Sequence, residues 1–72
     1  MHFWQPDLDA SWEKCQALAE KAKEVPAGDE RARITKIADD IRDLLIKADG
    51  RIRREGNPKI FFERIDNLFN RV

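Results

Sequence analysis

The sequence predicts an all-α fold, an antiparallel up-down-up three-helix bundle with a long central helix, and three observations lead to it. Apolar residues recur at three- and four-residue steps in three separate segments, which is the period of a helix with one buried face. No stretch alternates with a period of two, so no strand competes. The strong breakers gather at Val25-Pro26-Ala27-Gly28 and Gly56-Asn57-Pro58. Short connections of that kind make consecutive helices antiparallel neighbours.

The first helix is expected from Asp7 or Asp9 to Glu24. Either aspartate accepts a bond from the orphan amides of a helix start, and Pro6 is tolerated there and not deeper. Leu8, Trp12, Cys15, Leu18, Ala19 and Ala22 fall on one face at about 100° per residue. Val25 precedes a proline and is pushed out of the helical region. Lys21 and Lys23 suit the negative end of the helix.

The second helix is expected over residues 29–55, with Asp29 as its cap. Its stripe is Ile34, Ile37, Ala38, Ile41, Leu44, Leu45 and Ala48. Asp49-Gly50 is a plausible stop, but Ile52 falls in phase with Ile41, Leu45 and Ala48. Gly50 projects to the opposite face, where a helical glycine costs only about 1 kcal/mol. The spacing therefore predicts one helix running through Gly50 to about Glu55.

The third helix is expected over residues 58–71, with Asn57 as cap and Pro58 as first helical residue. Phe61, Ile65, Leu68, Phe69 and Val72 form its buried stripe, with Phe62 at the margin. Small residues on the first helix (Cys15, Ala19, Ala22) complement the aromatics of the third. The 72 residues thus read as one domain.

Composition excludes several function classes. The longest uncharged apolar runs, such as Leu44-Leu45-Ile46, span three residues, against the roughly 20 residues a bilayer needs. One cysteine excludes an internal disulfide framework and a dithiol motif. The N-terminus shows no basic region followed by an apolar run, so no secretory leader is expected and a cytoplasmic location is the default.

Catalytic and metal chemistry find little support. His2 is the only histidine and lies at the terminus. Cys15 sits mid-stripe with no histidine in helical register, which predicts a buried, inert thiol. Ser11 and Thr35 lack a base partner. Asp39, Asp40 and Asp43 cluster on the second helix, but Lys36 and Lys47 stand four residues from Asp40 and Asp43, where ion pairing is the ordinary outcome. No enzyme activity, metal or cofactor is expected.

Nucleic acid is an alternative partner. Residues 1–46 hold 7 basic and 10 acidic residues, a net −3, and residues 47–72 hold 7 and 4, a net +3. Lys47, Arg51, Arg54 and Lys59 form a basic corner able to touch phosphates. The whole chain, however, carries zero net charge, and the helix after the turn mixes acids with bases, which suits base reading poorly.

The main expectation is binding to another protein or to itself. Phe3 and Trp4 fall outside any stripe, and either cover the end of the bundle or anchor a partner. Opposite the core face of the second helix runs a weakly polar stripe of Ala32, Thr35, Asp39, Ile46, Gly50 and Arg53. Ile46 is well over 90° out of phase with the core, and Gly50 one turn away would permit close helix approach. Ile60 lies off the third stripe, beside the turn. The candidate partner-binding residues are therefore Phe3, Trp4, Ile46, Gly50 and Ile60. The Gly56-Asn57-Pro58 turn and the Glu/Lys/Arg/Ala content resemble those of designed helical bundles, which implies, as a third reading, an engineered chain without natural activity.

Overall fold

The computed structural model describes residues 3–72. Three helices follow one another: α1 (Gln5–Glu24), α2 (Asp29–Arg53) and α3 (Lys59–Phe69). They form an antiparallel up-down-up bundle with α2 as its spine. Both α1 and α3 pack on α2, without any close backbone approach to each other. They meet instead through long side chains. Trp4 stacks on Phe62 with ring centroids 5.5 Å apart, and the Lys14 ammonium lies 5.8 Å from the centroid of Phe69.

Burial follows the predicted stripes closely. Leu8, Cys15, Leu18 and Ala22 of α1 are buried, as are Ile34, Ile37, Ala38, Ile41, Leu45 and Ala48 of α2 and Ile65 of α3. Trp12, Leu44, Ile52, Phe61, Phe62, Leu68 and Phe69 are half-buried against them. Two stripe members fall outside. Ala19 is exposed because it turns to the side of α1 away from α3. Val72 is exposed because α3 ends three residues before it.

The helix ends correct the sequence reading at several points. α1 starts at Gln5 and not at Asp7 or Asp9. The Trp4 carbonyl accepts from the Leu8 amide at 3.0 Å, and the Trp4 ring, which gives no side-chain cap, stacks on Phe62 beside that turn. Asp7 then lies in the first turn, where its charge complements the dipole. Likewise Gly28, not Asp29, occupies the cap of α2, and Asp29 and Glu30 supply the first-turn acids. At the start of α3 the Asn57 Oδ1 accepts from the Lys59 amide at 2.9 Å. Asn57 thus does cap this turn, while Pro58 sits at the boundary and the regular helix begins one residue later than expected.

Gly50 lies inside α2 and the helix is continuous through it, but it ends at Arg53 rather than Glu55. Glu55 has φ 60°. Its amide donates to the Ile52 carbonyl at 3.0 Å, and the Gly56 amide donates to the Arg51 carbonyl at 2.8 Å. Those two bonds define a Schellman ending with glutamate, not glycine, in the left-handed position. Gly56 serves space instead of φ, since a Cβ there would collide with the Arg51 side chain. Arg51 crosses the turn to lie 5.5 Å from the Phe61 centroid. A left-handed non-glycine residue costs about 1 kcal/mol. Glu55→Gly is therefore expected to stabilise the domain by about that amount, raising its melting temperature by roughly 4–8 °C; circular dichroism melting checks it.

Candidate functional site

The site is built by what α3 leaves uncovered. α3 packs along one side of the α1–α2 pair. Its Arg64 and Leu68 lie near Asp40, Asp43 and Leu44 of α2, and its Phe69 meets Lys14 of α1. On α2, Leu44 lies about 60° to one side of Ile41, and Ile46 about 140° to the other. Ile46 therefore turns away from α3, beside the seam with α1.

On α1 the same side carries Trp12 and Ala19, about 60° and 40° from Cys15 and opposite in sense to Lys14. Together they line an open groove of about 570 Å³ with Cys15, Gln16, Arg42 and Ile46. The seam continues toward the other end of the bundle past Ala19, Ala22, Thr35 and Ala38. Ile46 is 55% exposed, a large apolar side chain at the lip of a groove floored by small residues. Trp12 is half-buried, with one edge held by the core and one toward the groove. Sequence reading assigned Trp12 to the core stripe and missed its place on this face. Its angular offset from Cys15 marks it as an edge residue of the stripe, and only the Lys14–Phe69 contact shows which edge α3 leaves open.

The remaining candidate residues scatter. Gly50 lies near Ile46 on the outer face of α2, with open space where a side chain would project. Phe3 is 74% exposed, whereas Trp4 turns in to stack on Phe62, so the two N-terminal aromatics do not act as one anchor. Ile60 is exposed at the start of α3. His2 lies outside the described residues.

The basic corner has local partners. Lys47 Nζ is 3.0 Å from Asp43 and Arg51 lies over Phe61, which leaves Arg54 and Lys59 exposed beside them. The other expected pair, Lys36 with Asp40, spans 3.6 Å.

Cys15 is buried, and its Sγ–H donates to the Ala38 carbonyl at 3.5 Å. Burial pushes its pKa above the ordinary 9.0, partly offset by Arg42 and reinforced by Asp39. The folded thiol thus holds its proton more tightly than the unfolded one. That contribution to stability is full below the unfolded value and declines as the pH rises through the folded value. Cys15 is expected to resist a thiol reagent at neutral pH in the folded protein and to react promptly in denaturant. Equal rates in the two conditions would contradict its burial.

Among the described residues no three His, Cys, Asp or Glu side chains gather as a metal site, and no helix is long and apolar enough to cross a membrane. Comparison of the chain with protein-family models, curated proteins and solved structures finds no match.

Proposed function

We propose that this protein is a small non-catalytic interaction module that binds another protein chain through the α1–α2 face opposite α3. The observation that carries the reading is Ile46, more than half exposed over a groove whose other lip is Trp12. Fold stability gives no reason for an isoleucine at that position, because the core of α2 is complete without it. A flanking tryptophan is the residue type most often found as an interface anchor, and the small residues along the seam admit a helix at close range. The chemistry of the chain favours the same reading. Its one thiol is buried and protonated, and the basic corner spends two of its four cations on local partners. A reducing, cytoplasm-like compartment suits a single free cysteine.

Site-specific photo-crosslinking in cells tests the proposal. A crosslinker at position 46 is expected to yield discrete protein adducts, and one at position 36, on the exposed flank of α2, is not. Equal labelling from the two positions, or none from position 46, would overturn it.

A further inference from the structure

The face just described carries a charge pattern that is complementary to itself. Asp39, Ile46 and Arg53 stand seven residues apart on α2, so they lie within about 40° of one line along the helix. Acid, apolar residue and base follow one another in that order. If a second α2 is laid antiparallel with its Ile46 against the first, each Asp39 comes opposite the partner copy's Arg53, about 10 Å on either side of the centre.

The flanks agree with that register. In an antiparallel helix pair, like flanks face one another. On the flank nearer α1, Arg42 faces Asp49 of the second copy. On the other flank, Asp43 faces Gly50, which presents no side chain and has open space around it. Asp39 and Arg42 take part in no ion pair among the described residues. Arg53 is bonded to Asp49 through Nε at 3.1 Å, which leaves its other guanidinium donors for a second carboxylate.

In this register the two α2 helices overlap over residues 39–53, about 22 Å at 1.5 Å per residue. Across the 17 Å width of the bundle that is roughly 370 Å² per copy, the size of a weak, concentration-dependent contact rather than of a standard interface of ~800 Å² per partner. The contact would be isologous, the same patch meeting itself about a twofold axis, and such contacts close at two copies.

We infer that the occupant of this face is a second copy of the chain, forming an antiparallel dimer about Ile46 with reciprocal Asp39–Arg53 pairs. The inference rests on the proposed interaction face and names its partner.

Sedimentation equilibrium of the purified protein over a wide concentration range tests it. The mass is expected to rise from the 8.4 kDa monomer to twice that value. Asp39→Lys and Arg53→Glu, each alone, are expected to weaken the dimer at least tenfold, because each places like charges opposite one another at both ends. An equimolar mixture of the two variants is expected to dimerise again, because each then meets its complement. Ile46→Glu is expected to abolish the dimer, and circular dichroism is expected to show every variant as helical as the parent. A protein monomeric at every concentration would overturn the inference. So would a dimer indifferent to these substitutions, or a mixture that stays monomeric. A monomeric protein that still crosslinks from position 46 to a different chain would overturn the second copy as occupant while upholding the interaction face.

Discussion

Leu45→Ala is expected to remove most of the stability of this domain. Leu45 is fully buried, together with Ile41, Ala48 and Ile65. It lies on the inner face of α2, in the same apolar stripe as Ile41 and Ala48. Truncating such a residue costs about 2–5 kcal/mol, part from lost burial and part from the cavity left behind. A chain of this length has on the order of 4–11 kcal/mol in total. The aromatics of α3 are half-buried and tied to neighbours by the Trp4–Phe62 and Arg51–Phe61 contacts, so they have little freedom to collapse into the void. Urea denaturation followed by circular dichroism should show a midpoint shifted far toward zero denaturant, or no cooperative transition. A shift worth less than about 1 kcal/mol would mean that the α1–α2–α3 junction is not the centre of the core.

The second large effect is expected at Gly50. α2 runs unbroken through it to Arg53, and the last turns of that helix hold Ile52 in the core and Arg51 over Phe61. A proline at position 50 removes an intrahelical bond and clashes with the preceding turn, at a cost of about 3 kcal/mol or more. It would also loosen the seat of α3. Gly50→Ala should act in the opposite sense. The added methyl meets nothing within 4 Å, and alanine is favoured over glycine in a helix interior by about 1 kcal/mol. If proline were tolerated while alanine gave no gain, α2 would have to be two helices with a joint at Gly50.

The spine was legible in the sequence because its signal is redundant. Seven apolar residues in phase outweighed one glycine, and Ile52 carried the phase past it. The boundaries were less legible because tertiary contacts decide them. α1 begins two residues early since Trp4 finds Phe62, a contact between residues 58 positions apart that no local rule contains. α2 ends two residues early because Gly56 makes room for Arg51, leaving Glu55 to take the left-handed turn.

The interaction face was half legible. The phase of Ile46 placed it off the core from sequence alone. Trp12 could not be assigned to the face until α3 chose a side, because the stripe of α1 alone does not say which of its two edges α3 covers. The two N-terminal aromatics looked equivalent in sequence, and the fold separates them. Trp4 packs inward and Phe3 remains exposed.

The claim at the centre of this account is that Ile46 serves contact with another chain and not the fold. The urea midpoint of Ile46→Glu, measured in dilute solution where association is negligible, tests it most directly. A surface position outside the core should change stability by no more than about 0.5 kcal/mol, leaving the unfolding curve nearly superimposable on that of the parent. A loss of about 2 kcal/mol, the scale of burying an isoleucine side chain, would show that Ile46 belongs to the core, and the α1–α2 face would lose its claim to a partner.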